Sequence, residues 1–102
     1  MPALDDEGFL LNLADWSEAV AVTLASNEGI TLSPQHWEIV RLVREYHAQF
    51  DMSPAMRPLV KYAGLKLGVD KGKSIYLMTL FPGSPAKIAS KIGGLPKPDN
   101  CL

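Results

Sequence analysis

The side chain best suited to covalent chemistry is the chain's one cysteine, which stands next to last in the closing stretch "GLPKPDNCL". A structural cysteine belongs inside a periodic apolar segment, where it packs as a small hydrophobe. Cys101 instead follows Pro96, Lys97, Pro98, Asp99 and Asn100, a run that can build neither a buried helix nor a central strand. Two prolines favour an extended, polyproline-like path. Six residues from Pro96 to Cys101 would carry the sulfur outward by roughly 15–20 Å at about 3.1 Å per residue. Lys97 and neighbouring lysines favour the thiolate, while Asp99 and the carboxylate of Leu102 oppose it, so the sequence leaves the thiol pKa open. The geometry is that of an arm that presents a sulfur to the active site of another protein.

Other chemistry is thinly represented. His36 and His47 fall eleven residues apart in one helical stretch, about 16 Å along the axis, so they cannot share an ion. Packing or surface hydrogen bonding is their expected role. No zinc-type spacing occurs, and no metal is expected. Nucleophile elbow, phosphate-binding glycine loop and paired carboxylates are all absent, and no cofactor is expected. "GVDKGKS" has the residues of a phosphate loop but not the spacing, and reads as a solvated turn. Trp16 and Trp37 recur in phase with apolar neighbours and are expected to anchor the core.

The net charge of −1 conceals a polarity. Residues 1–51 carry nine acids against Arg41 and Arg44, whereas residues 52–102 carry eight basic residues against Asp70 and Asp99. Either the basic half meets a nucleic acid or acidic protein, or the halves attract each other across the fold. In the first case Arg57 and Lys61, near the start of a third helix, could face a major groove as part of a helix-turn-helix regulator of DNA. A plain helix pair in a small bundle explains the same pattern, and that DNA reading gives Cys101 no task.

The elements that position these residues are mainly helical. Ser33-Pro34, Ser53-Pro54 and Ser84-Pro85 each read as a helix start, serine capping and proline following without an amide to leave unpaired. A first helix is expected from Asp15, where "DWSE" matches a capping box, to near Gly29. The second covers "PQHWEIVRLVREYHAQF", with apolar residues at helical spacing. The third covers "PAMRPLVKYAGLKLG", with Pro58 removing a hydrogen bond and bending it. A fourth takes in "KSIYLMTLF", and the fifth, "PAKIASKIGG", stops at Gly93 and Gly94. Strand is expected only around "GFLLN", with a turn near Gly72. At 102 residues this is one domain, 1–102, with 94–102 as its arm. No apolar run is long enough for a membrane span, and a lone cysteine suits the reducing cytoplasm.

"DEGFLLNLADW", "HWEIVRLVREY", "SPAMRPLVKY", "KGKSIYLMTLFP" and "SPAKIASKIGGLPKPDNC" together resemble the DsrC/TusE family of small sulfur-carrier proteins. The similarity runs through nearly the whole chain, in order. The most specific part is the ending: "GLPKP", two variable residues, then a penultimate cysteine. The resemblance implies a helical domain with a small N-terminal β-hairpin, a helix-turn-helix-like core and a mobile C-terminal arm. Family members usually have a longer stretch before "DEGF", forming the hairpin's first strand. Only Met1 to Asp5 precede it here, so the resemblance does not carry that strand over and points to a start downstream of the usual one.

It also implies that Cys101 carries sulfur as a persulfide. In the dissimilatory branch, associated with sulfite reductase, a second cysteine stands eleven positions earlier, where this chain has Ser90. Serine cannot carry or resolve sulfane sulfur, so the implied role is that of the single-cysteine branch, in the relay that makes 2-thiouridine at the tRNA wobble position. The alternative within the family is a sulfite-reductase accessory that works by an intermolecular link through Cys101. The implied partners are an upstream sulfur-relay complex (TusBCD-like) and a downstream tRNA 2-thiouridylase (MnmA-like) with its tRNA. Arg57, Lys61, Lys73 and Lys97 become candidates for holding the persulfide or binding partners. Gly93 and Gly94 become the expected hinge, and Pro96 and Pro98 the stiff arm.

Overall fold

The computed structural model describes residues 1–99; Cys101, the expected persulfide carrier, lies outside the described residues. Five α-helices follow one another: α1 (Glu18–Asn27), α2 (Pro34–Phe50), α3 (Met56–Leu67), α4 (Ser74–Leu80) and α5 (Pro85–Ile92). Short 3-10 turns at Leu13–Asp15 and Val69–Lys71 precede α1 and α4. The mainly helical reading holds throughout.

α5 is the hub. It packs against α1, α2, α3 and α4, and six of its eight residues are buried. Ala86 and Ala89 let the neighbouring helices approach, while Ile92 fills the centre with Leu24, Ile39, Val43, Leu59, Leu77 and Phe81. Burying each such large apolar side chain stabilises the fold by roughly 1.5–3 kcal/mol. The helix that carries the arm is thus the one most deeply set in the core.

α2 starts where the sequence places it. Ser33 Oγ accepts from the His36 amide at 3.3 Å, and His36 Nδ1 accepts in return from the Ser33 amide at 3.1 Å. With Nδ1 accepting, Nε2 carries the proton and donates to the Leu80 carbonyl at 2.7 Å. One imidazole therefore begins α2 and closes α4, in line with the hydrogen-bonding role expected of it.

Four local expectations are corrected. The N-cap of α1 is Ser17, whose Oγ accepts from the Val20 amide at 3.2 Å; Asp15 instead ends the 3-10 turn that Asn12 caps. "GFLLN" forms no strand, only one antiparallel bridge, Leu4 to Leu10, because that 3-10 turn bends the chain away directly after Leu11. Ser53 does not cap α3, which starts at Met56 after Ala55. Finally, Pro58 falls at the third helical position, where the amide has no intrahelical acceptor in any case; the first rung, Leu59 N–H to the Ala55 carbonyl at 3.0 Å, forms beyond it.

α3 meets the loop before α4 backbone to backbone. A Cβ on Gly72 would drive into Gly64 and come within 3.1 Å of the Val60 carbonyl, whereas a Cβ on Gly64 would make an ordinary 3.4 Å contact. The two glycines should therefore respond in opposite senses. Gly72→Ala is expected to lower stability by about 1–3 kcal/mol through overpacking. Gly64→Ala should be neutral or raise it by roughly 0.5–1 kcal/mol through helix propensity. Urea midpoints of the two variants test this.

Candidate functional site at the base of the arm

Where α5 ends, its last carbonyls need donors. The chain supplies two from within: Leu95 N–H reaches back to the Ser90 carbonyl at 2.9 Å and Gly94 N–H to the Lys91 carbonyl at 3.0 Å. With Gly94 at φ +72°, this is the Schellman arrangement, which favours glycine at the left-handed position. Two further donors arrive from far along the sequence. Trp16 Nε1 donates to the Ile92 carbonyl at 2.9 Å, and Arg44 Nη1 to the Gly93 carbonyl at 2.6 Å.

The Arg44 guanidinium lies 3.8 Å from the centroid of the Trp16 ring, a cation–π stack, and its charge suits the negative end of α5. Burial pushes the Arg44 pKa down, although a guanidinium stays charged. Gly94 lies so close to the indole that any Cβ there would enter the ring. Gly93 and Gly94, expected as a hinge, are both buried in this clamp.

The next residues remain on the body. Leu95 is 2% exposed, and Pro98 is buried. Between them, Ser53 Oγ donates to the Pro96 carbonyl at 2.6 Å, so the serine read as a helix cap is a fastener for the arm. Lys97 Nζ stands 3.1 Å from Glu7 Oε1, which Lys87 also approaches at 3.5 Å. These lysines, the Lys97 hydrogen bond foremost, hold the Glu7 carboxyl below its ordinary pKa. Beside the fastened segment opens a cleft of about 330 Å³, lined by Asp51, Met52 and Ser53 on one side and Pro96, Lys97 and Asp99 on the other.

The remaining candidates lie elsewhere. Lys73 pairs with Asp70 at 4.0 Å before α4. Arg57 and Lys61 are exposed on α3, and no hydrogen bond or ion pair among the described residues links them to Lys97. Ser90 is fully buried, its hydroxyl without a hydrogen-bond partner among the described residues. Sequence reasoning missed Arg44, Ser53 and Glu7 as arm contacts. For Arg44 a signal existed, because it continues the inward phase of Trp37 and Val40. For Glu7, ninety residues from Lys97, there was none.

A family model described as "DsrC like protein" matches residues 1–102. The chain belongs to the DsrC family. Among its relatives, the sulfurtransferase TusE of Escherichia coli K12 is 55% identical over 98 residues, covering 96% of this chain and 90% of that one. TusE of Salmonella typhimurium is 56% identical over the same shares. The solution structure of DsrC from Allochromatium vinosum superposes with a TM-score of 0.89 at 46% identity, over 98% of this chain and 89% of that one. Oxidized DsrC of Archaeoglobus fulgidus, the γ-subunit of its dissimilatory sulfite reductase, gives 0.84 at 38% identity, over 99% and 92%. The family resemblance read from the ending and the internal motifs is thereby borne out, and this member of the DsrC family has serine at position 90.

Three predictions concern the arm and its root. Ser53→Ala should cost roughly 0.5–1.5 kcal/mol of stability and lower the NMR order parameters of the Lys97 and Asp99 amides. Because the Glu7 pKa is depressed on folding, its ion pairs stabilise fully above the ordinary glutamate range and are lost as pH falls through the lowered value. Those order parameters should thus hold down to the ordinary glutamate range and drop below it, a step that Glu7→Gln removes. Ser90→Ala, which deletes a buried hydroxyl with no partner among the described residues, should raise stability by about 1 kcal/mol, read from thermal unfolding.

Proposed function

We propose that this chain is a persulfide carrier in a sulfur relay, with Cys101 as the carrying residue. The observation that carries the reading is the fastened base of the arm: Pro96 and Lys97 are held to the body at the rim of a cleft. The chain's lone cysteine follows Asp99 by two positions. Two extended residues span at most about 7 Å, so Cys101 stays within one short span of Asp99. Opening the contacts at Pro96 and Lys97 would lengthen the reach to the roughly 15–20 Å of the whole proline segment.

The chemistry is thiol exchange. The Cys101 thiolate attacks the terminal sulfur of a donor persulfide, the donor's S–S bond breaks, and the donor leaves as a thiolate while Cys101–S–SH forms. A cysteine thiolate of the acceptor then takes the outer sulfur and Cys101 departs as thiolate, so no external oxidant or reductant is consumed. Pro96 and Pro98 lower the ordering cost when the arm enters an acceptor. The TusE relatives direct the reading to a cytoplasmic relay for tRNA 2-thiouridine. The donor is an upstream TusBCD-like complex, and the acceptor an MnmA-like 2-thiouridylase with tRNA bound. Ser90, buried and without a thiol, supports single-cysteine exchange over an intramolecular disulfide cycle. No helix among the described residues is long and apolar enough to cross a membrane.

Intact-protein mass spectrometry after incubation with a cysteine desulfurase, cysteine and the upstream relay proteins provides the test. The expected outcome is a gain of one sulfur atom, reversed by reductant and absent from Cys101→Ser, with transfer to the 2-thiouridylase in the next step. Absence of sulfur on the wild-type chain with every donor overturns the reading.

A further inference from the structure

The chain has ten lysines and arginines, and the structure gives eight of them a partner. Arg41, Lys66, Lys71, Lys73, Lys87, Lys91 and Lys97 pair with carboxylates, and Arg44 is bound to the Gly93 carbonyl and the Trp16 ring. Among the described residues, Arg57 and Lys61 are the two cations that no carboxylate, carbonyl or ring holds. They stand one turn apart on α3, which contains no acidic residue.

Their side of α3 is the outer one. Leu59 and Ala63 face the core. Tyr62 turns to α2, its hydroxyl donating to Gln49 Oε1 at 3.3 Å, and Gly64 turns to Gly72. Positions 57, 61 and 65 share the remaining face at four-residue spacing. The third of them, Leu65, is 75% exposed. The row also begins beside the arm: Arg57 follows Ser53, the residue that holds Pro96, by four positions, a span of at most about 14 Å.

From this we infer that the row Arg57–Lys61–Leu65 is a docking surface for an acidic patch on a neighbouring protein of the sulfur relay. The inference rests on the relay reading above and adds a recognition surface to it. Two free cations are few for a nucleic acid, whose binding is built by neutralising many phosphates, and this protein's other cations are already engaged. A leucine in line with them has no use against a phosphate backbone. Against a protein it provides apolar contact within a charged rim. A partner seated here holds the body within one short span of the arm's fastening, so docking and delivery of the sulfur become neighbouring events.

The test uses the full chain, unloaded, with the purified upstream relay complex, the purified 2-thiouridylase and bulk tRNA as three separate probes. Affinities are measured at low and high salt for wild type and for the double variant Arg57→Glu/Lys61→Glu. The conservative pair Arg57→Lys/Lys61→Arg, the single variant Leu65→Ser, and Arg41→Glu as a reversal on another helix complete the set. The expected result is about a tenfold or greater loss of affinity for one of the two proteins in the double reversal. That loss should shrink at high salt, be retained in part by Leu65→Ser, and be absent from the conservative pair and from Arg41→Glu. Unchanged affinity for both proteins, wild-type binding to neither, or a loss confined to tRNA overturns the inference. Failure of the relay reading shows separately, as absence of sulfur on wild-type Cys101.

Discussion

The carbonyls at the C-terminus of α5 have to be satisfied at the point where the chain leaves the core, and the way this is done governs the arm. α5 is buried on most of its surface, so water cannot serve those groups evenly, and an unpaired buried carbonyl is expensive. The Schellman turn supplies two donors, and Trp16 and Arg44 supply two more. Each brings a separate part of the fold with it: Trp16 the segment before α1, Arg44 the middle of α2. The arm's departure direction is therefore fixed by the same contacts that hold α1 and α2 against α5. A glycine pair that looks loose in sequence is among the most constrained places in the molecule.

Electrostatics reinforces that arrangement. The acidic first half and basic second half could have made a two-faced surface, but they neutralise each other instead. Five ion pairs cross between the halves: Lys66–Glu45, Lys71–Glu38, Lys87–Glu7, Lys91–Glu28 and Lys97–Glu7. Individually such pairs are weak when exposed. Lys91 is the exception in setting, being buried, paired with Glu28 and 5.0 Å from the Phe9 ring centroid; it ties the N-terminal loop and the end of α1 to the hub helix. Of the two explanations that the charge polarity allowed, attraction across the fold accounts for most of the lysines.

Much of this was legible from sequence for a simple reason: helices are local. The period of "PQHWEIVRLVREYHAQF" and its Ser-Pro start determine α2 within a residue, and the glycine pair stops α5. Errors arose where one local signal had two readings. Asp15 and Ser17 both offer caps three residues ahead of an acceptable amide, and only the 3-10 turn decides between them. Ser53-Pro54 looks like Ser33-Pro34, yet its hydroxyl goes to the Pro96 carbonyl forty-three residues away. No periodicity encodes that contact, or the meeting of Glu7 with Lys97. The candidate for chemistry, Cys101, was legible because it is the chain's one cysteine and follows a proline-rich run, although it lies outside the described residues. The surfaces that fasten its arm were not, because they are assembled from three distant segments.

A carrier must satisfy opposed requirements, and the placement of the fasteners addresses both. A fully free arm of six or more residues would reach far but lose conformational entropy on every docking. A fully fixed one would enter no active site. Here the strong contacts come first along the chain, at Gly93, Gly94 and Leu95, where the core itself would be disturbed by release. Single polar contacts follow, a hydrogen bond from buried Ser53 to the Pro96 carbonyl and an exposed ion pair at Lys97, and Pro98 is buried beyond them. On the relay proposed above, an acceptor that binds the outer residues would compete with the contacts at Pro96, Lys97 and Pro98 before any at α5, so extension of the arm would leave the core folded behind it.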